Sequence, residues 1–384
     1  MSSIIEGYNS DNQLKSYFMK TKYLIRMAAF CLIFPLIIAS CKKESDGEMS
    51  LTSLDNAIKN EMFQYNIPAL SIAIVKNEKL VYIKSYGFSD KESRILAADD
   101  DLYRIASVSK PITVIAILKL VQDGLLSLDQ KVFGSDGVFG NDYGTPPSGS
   151  KKDLISVRHL LDHKSGWTNS PNDPMFTDIN NAQSQLITDL LVNRPLTYTP
   201  GITTYYLNFG YCLLGRVIEK ITNMTYENYV KSNILQQCGI TEMKIGRNTL
   251  NDRYPKEVKY YQNEYSHYSP YSMNVTRMDS HGGWIASTKD LARFIVKIDR
   301  NESKSDLISV TLLNKFYFGD PNWVHYGALP GASAILSRLD NTFSFIVLVN
   351  TCTDSNPSLL LDDLYNTLKG KINSISAWPS DDLF

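Results

Sequence analysis

Long apolar runs are missing from this 384-residue chain. The one near its N-terminus, Met27–Ala39, is thirteen residues with Pro35 inside it, short of the about 20 that a membrane-spanning helix needs. Neither sign of charge is in excess. Lys+Arg number 39 against 40 Asp+Glu, a net charge of −1, which removes any electrostatic case for nucleic acid. Five cysteines show no C-x-x-C and no metal-ligand spacing, and the five histidines contain no H-E-x-x-H, so no metal is expected. With no G-x-G-x-x-G and no P-loop, no nucleotide cofactor is expected either. The missing G-x-S-x-G elbow argues against an α/β-hydrolase. No internal repeat or long low-complexity tract stands out. What remains is an ordinary globular composition, 43% hydrophobic with a mean hydropathy of −0.19.

The chain is organised around Leu102–Gly124, LYRIASVSKPITVIAILKLVQDG. Proline is tolerated near a helix's first turn, so Pro111 predicts a helix that starts at about Ser107. Asp123-Gly124 predicts its stop. Between them the residues are apolar on nearly every face, which marks a buried helix. Ser107-Val108-Ser109-Lys110 stands at its mouth. Residues i and i+3 share a helix face, so the Lys110 amine reaches the Ser107 hydroxyl. A serine becomes a nucleophile when a base takes its proton, and lysine serves as that base when burial lowers its pKa. The helix N-terminus suits a developing oxyanion. Taken alone, Ser107 also fits a plain N-cap.

Lys20, Lys22 and Arg26 precede the Met27–Ala39 run, which ends Ile38-Ala39-Ser40-Cys41. That pattern predicts a lipoprotein-type signal over 1–40, with Met19 a more typical start than Met1, and Cys41 as the lipidated residue. Residues 41–50 would form a tether. The expected location is extracytoplasmic, anchored to a bilayer through an N-terminal acyl group, in the periplasm or at the surface of a bacterium. Cys31 would leave with the signal. Cys212 and Cys352 sit in apolar runs and read as core thiols.

Residues 51–384 form the body. Helices are predicted over Leu51–Asn66, Val157–Trp167, Asp178–Asn193, Tyr211–Thr222, Tyr226–Gln237, Ser287–Arg300 and Pro357–Leu368. Strands are predicted over Ala69–Val75, Lys79–Tyr86, Trp323–Ala328, Ala332–Leu339 and Phe343–Asn350, the first two joined at Lys76-Asn77-Glu78. Strands at both ends and helices between predict an α/β chain of the α+β type. Its antiparallel sheet would be assembled from about 51–112 and 279–384, with a mainly helical insertion over about 113–278.

Tyr206-Leu207-Asn208 and His325-Tyr326-Gly327 follow the Ser107 motif in order. With them come His159-Leu160-Leu161 through Ser165-Gly166, Gly282-Gly283 before Ser287-Thr288, and Leu329-Pro330-Gly331. On these motifs the chain resembles the serine β-lactamase and penicillin-binding-protein superfamily, in its class C branch of β-lactamases, DD-peptidases and esterases. The resemblance covers about Leu51 to Leu368. It implies Ser107, Lys110 and Tyr206 as the catalytic residues, Tyr206 acting as a second base. Asn208 would fix Lys110 and a substrate carbonyl. Gly327 would let the edge strand approach the substrate backbone. The N–H groups of Ser107 and Ala328 would form the oxyanion hole. Seen singly, Tyr206 also reads as packing, His325 as a strand histidine, and His159, His163, His267 and His281 as structural.

The resemblance implies that His325 stands where class C β-lactamases carry the lysine of a K-T-G motif and where many other relatives carry H-x-G. With an ordinary pKa near 6.5 it would be a partly charged, weak anchor for a substrate carboxylate. That argues against a potent β-lactamase. It leaves a DD-carboxypeptidase, D-aminopeptidase, esterase or weak β-lactamase acting through an acyl-enzyme on a small molecule or peptidoglycan-derived peptide, with no cofactor and as a monomer. The alternative is a catalytically silent relative that binds peptidoglycan or a protein partner.

Overall fold

A computed structural model describes residues 51–177, 179–262, 268–301, 304–352 and 357–384. The expected signal, the tether, Cys41, Asp178 and His267 lie outside them. No described helix is long and apolar enough to cross a membrane.

The chain opens with helix α1 (Leu51–Gln64) and the hairpin β1 (Ala69–Lys76) and β2 (Lys79–Asp90). Asn77 and Glu78 both take left-handed backbone, φ 49° and 59°. That is what a two-residue hairpin turn matching the strands' own twist requires. Short strands β3 (Ile95–Leu96) and β4 (Tyr103–Arg104) follow, then helix α2 (Ser109–Gln122). The middle of the chain carries α3 (Gln183–Asn193), α4 (Asn208–Thr222), α5 (Tyr226–Val230), β5 (Lys244–Ile245) and β6 (Tyr261–Gln262). The last part supplies β7 (Trp284–Ala286), α6 (Thr288–Ile295), β8 (Trp323–Leu329), β9 (Ala332–Arg338), β10 (Phe343–Val349), β11 (Thr351–Cys352) and α7 (Pro357–Ser374).

Six strands form one antiparallel sheet in the order β3-β2-β1-β10-β9-β8. The two chain ends meet where β1 pairs with β10, Ile72 opposite Val347. This is the sheet predicted from strands at both termini. β1 is buried on both faces. Leu70, Ile72 and Ile74 join α1 and α7 in one core, with Leu54, Ile58, Leu360 and Leu364. Ala69, Ala73 and Val75 join the larger core around α2. Cys212 and Cys352 are buried, as apolar runs imply.

Several helices are shorter than periodicity predicts. Val157–Leu161 stops where Asp162 caps it and His163 turns left-handed at φ 57°. α3 begins at Gln183, and α6 ends at Ile295, with Ser287 capping its start through Asp290 N–H. Past Val230 the chain continues as a π-helical turn, Lys231–Leu235, and a 3₁₀ turn, Gln236–Cys238. α4 starts earlier than predicted, at Asn208.

α2 is the axis of the larger core: every residue from Ser109 to Leu118 is buried. Its end is a Schellman cap. Leu125 N–H returns to Leu120 C=O at 2.9 Å and Gly124 N–H to Val121 C=O at 3.1 Å, with Gly124 at φ 72°. Leu118→Ala should therefore cost about 2–5 kcal/mol of stability. Leu125→Ala, at a residue 57% exposed, should stay within about 0.5 kcal/mol of wild type. Urea midpoints of the two variants check this; equal shifts would mean that α2 is not the core axis.

Candidate active site

One 3₁₀ turn, Ala106–Val108, joins β4 to α2 and carries Ser107. Three anchors fix it. β4 pairs with β7, Arg104 opposite Ile285. Ile105 N–H donates to Trp284 C=O at 3.0 Å. The edge strand β8 presses against it so closely that a Cβ on Gly327 would lie 2.2 Å from Ile105 C=O. Between these anchors Ala106 is held at φ 49°, a conformation that costs an L-residue roughly 1–2 kcal/mol.

Lys110 is fully buried. Its Nζ donates to Ser107 Oγ at 3.1 Å, Asn208 Oδ1 at 2.8 Å and the His281 carbonyl at 2.8 Å. These three acceptors match an ammonium's three protons. Burial works the other way and brings its pKa down to about 7, against a smaller upward pull from the Asp173 carboxylate. Near neutral pH the amine is thus divided between its two forms, beside the one hydroxyl it can deprotonate.

Tyr206 reaches Ser107 from the other side, its hydroxyl donating to Ser107 Oγ at 2.7 Å. The residue is 46% exposed, yet the groups crowded around its hydroxyl push its pKa up, with the Ser107 bond opposing. A second base was expected at Tyr206; the phenol instead keeps its proton at neutral pH. His163 positions it. That ring lies 4.7 Å from Tyr206 and 5.0 Å from Tyr211. Its Nδ1 accepts Leu207 N–H at 3.1 Å, and its carbonyl accepts Tyr205 N–H at 2.8 Å. Burial, then Lys110, lowers its pKa to about 4, so it remains a neutral acceptor.

Asn208 stands at the first turn of α4. Its Oδ1 holds Lys110 as expected, but its Nδ2 donates to Asp173 Oδ2 at 2.8 Å. One amide proton is thereby committed to a carboxylate instead of a substrate carbonyl. Asp173 comes from the loop before α3, with its other oxygen on Met175 N–H at 2.9 Å.

One expectation for β8 needs correction. Burial, reinforced by Lys110 and His163, lowers the His325 pKa to about 3. Its ring stacks on Tyr317, 5.9 Å between centroids. His325 is therefore neutral across the accessible pH range and is not a titrating anchor for carboxylates. Gly327 does allow a close approach, and the group that meets it is Ile105 C=O of its own chain. Ala328 lies opposite Ser333. Counting the alternation of the antiparallel ladder back from the Pro330-Gly331 turn, Ala328 N–H faces the free edge of the sheet. Ser107, Tyr206, Asn208, Tyr326 and Ala328 line one cleft of about 350 Å³. No group of three or more His, Cys, Asp or Glu side chains fit to hold a metal occurs among the described residues.

Sequence reasoning did not single out Asp173, nor the supporting parts played by His163, the His281 carbonyl and Tyr317. Asp173 falls inside Asn169–Asn180, a stretch expected, with Phe133–Lys152 and Asn248–Met278, to set specificity; its Asn-Ser-Pro-Asn-Asp-Pro run signals a loop and singles out no residue.

The family model for Beta-lactamase matches residues 54–330. The chain belongs to the beta-lactamase family. Protein flp of Staphylococcus aureus (strain MRSA252) is 31% identical over 202 residues, 52% of this chain and 39% of that protein. The chain thus matches about two fifths of the length of that curated relative. Penicillin-binding protein 4* of Bacillus subtilis (strain 168) is 25% identical over 364 residues, 84% of this chain and 76% of its own. Among solved structures, the D-amino acid amidase of Ochrobactrum anthropi SV3 complexed with D-phenylalanine matches with a TM-score of 0.67 at 20% identity, over 84% of this chain and 99% of that one. The octameric penicillin-binding protein homologue of Pyrococcus abyssi matches at 0.65 and 23% identity, over 84% and 78%. At these identities the two structures share the fold.

The contact between β8 and the Ser107 turn can be tested directly. Gly327→Ala puts a methyl into Ile105 C=O, so it should lower stability by about 1–3 kcal/mol, as overpacking does. It should also force β8 away from the turn. Calorimetry and a crystal structure of the variant check both; an unchanged melting temperature would contradict the contact.

Proposed function

We propose that this protein is a serine acyl-transfer hydrolase that works through an acyl-enzyme on Ser107. The observation that carries the reading is one hydroxyl, Ser107 Oγ, bonded to a buried amine at 3.1 Å and a phenol at 2.7 Å. In the neutral form the Lys110 amine takes the Ser107 proton as Oγ attacks the acyl carbonyl. The oxyanion is held by the N–H groups of Ser107 and Ala328, each such donor being worth about 2.7–4 kcal/mol. Tyr206, still protonated, gives its proton to the leaving oxygen or nitrogen and recovers one from Lys110. Water then attacks the ester at Ser107, loses a proton along the same path, and the serine hydroxyl is restored.

A neutral His325 supports ester, amide or D-peptide substrates over those recognised by a carboxylate, and so supports a weak rather than potent β-lactamase. The D-amino acid amidase among the structural neighbours fits amide chemistry on this fold.

A fluorophosphonate should label Ser107, and Ser107→Ala should abolish the label without unfolding the chain; mass spectrometry that finds the label elsewhere overturns the assignment. The Lys110 pKa lies well below its ordinary value, so the base form accumulates as pH rises. kcat/KM for a neutral ester should therefore climb through a midpoint near 7 and level off above it. A pH profile with no such limb would remove Lys110 as the base.

We also propose that Cys41 carries lipid and tethers the body to an extracytoplasmic membrane face. Cys41→Ser should move the protein from the membrane fraction to the soluble one. Unchanged fractionation would rule the anchor out.

A further inference from the structure

The Ser107 cleft does not end at Ser107. A second cavity, of about 610 Å³, abuts it over Phe176, Ala328 and Leu329, which line both. Among the described residues, the two linings together contain no lysine or arginine and a single carboxylate, Asp173. Lys110 is shut away behind Asn208, and the rings of the partly exposed His325 and the buried His281 are held neutral. Arg194 senses the Asp173 charge, but it opens on a different cavity and donates to Asn172 C=O at 2.8 Å. Among the described residues, a negative charge thus faces the joined cavity without a cation opposite it.

We infer that Asp173 is a subsite for a protonated amine on the acyl part of the substrate. The inference rests on the hydrolase reading above and narrows it to esters or amides whose acyl group bears an ammonium close to the scissile carbonyl. The placement follows from the oxyanion donors. With its carbonyl oxygen on Ala328 N–H and its leaving group toward Tyr206, the acyl part lies along β8, and the second cavity opens beside β8. Asp173 is one amide away from Lys110, so a short acyl chain spans the gap. Asp173 Oδ2 already accepts from Asn208 Nδ2, and a carboxylate oxygen has a further lone pair for an ammonium. The same charge repels a substrate carboxylate.

The test uses three p-nitrophenyl esters that differ at one position: alanine (ammonium), propanoate (hydrogen) and methylmalonate (carboxylate). They are assayed with the wild-type protein and with Asp173→Asn and Asp173→Lys, at a pH where the amine is protonated. Wild type should prefer the alanine ester to propanoate by at least about tenfold in kcat/KM, the ratio that 1.4 kcal/mol gives, and should turn over methylmalonate least. Asp173→Asn should bring the alanine-to-propanoate ratio close to one, and Asp173→Lys should make methylmalonate the better of the two charged esters. Ratios cancel any general loss that the variants cause through Asn208. Cleavage of propanoate with no preference for alanine, or equal losses on all three esters in Asp173→Asn, overturns the subsite and leaves Asp173 as a residue that positions Asn208. No cleavage of any ester by wild type, with no fluorophosphonate label on Ser107, overturns the hydrolase reading and the subsite with it.

Discussion

Everything at the centre of this molecule depends on a lysine amine placed where water cannot reach it. Lys110 sits in the first turn of a helix that is buried on every face, and no carboxylate touches it. Among the described residues its support is three oxygen acceptors, from a serine, an asparagine and a main-chain carbonyl, with the Tyr206 and Tyr211 rings at 4.8 and 5.6 Å from the amine. A hydrated lysine would hold its proton to about pH 10.4. Burial brings this one close to neutrality. Because the unfolded chain binds that proton more tightly, the fold is at a disadvantage below the ordinary lysine pKa, and stability rises with pH between the folded and unfolded values. The surrounding apolar core offsets that cost, which explains why α2 has no polar face to spare.

A second constraint follows from the first. A partly charged amine at the centre discourages other positive charges nearby. His163, His281 and His325 all surround it, and all are held neutral by burial, with Lys110 adding to the effect. As neutral rings they act as acceptors, stacking partners and walls. His163 holds the Tyr205–Leu207 backbone and presents Tyr206 to Ser107, and His325 packs on Tyr317. Among the described residues the cleft is consequently poor in positive charge, and the carboxylate of Asp173 is the charge that faces its second chamber.

The backbone carries part of the same design. The Ser107 turn is wedged between β7 and β8, and the left-handed Ala106 persists because both neighbours restrain it. Gly327 is required there by the Ile105 carbonyl. That requirement is steric and internal, so it holds whether or not a substrate is bound.

Much of this was legible in the sequence because it is local. Apolar, β-rich runs bounded by turn residues mark β1, β2 and β8–β10. Pro111 and Gly124 bracket the buried helix, and the i, i+3 spacing brings Lys110 to Ser107 before any long-range contact forms. The order of Ser107-x-x-Lys110, Tyr206-x-Asn208 and His325-x-Gly327 is enough to name a family. What only the tertiary structure decided are quantities that depend on neighbours distant in the chain. The ionisation of His325 and Tyr206 could not be read from residue type, since burial and the Lys110 charge outweigh the ordinary pKa. Asp173 lies in a loop with no periodicity, and its bond to Asn208 spans 35 residues. The helix ends at Leu161 and Ile295 come earlier than periodicity predicts, the first where His163 turns left-handed. Sequence alone determined the motif groups, Ser107, Lys110, Tyr206, Asn208 and His325; folding added Asp173 and decided which groups carry charge and which way they face, because both are set by the dielectric and geometry of a cleft built from several separate segments of the chain.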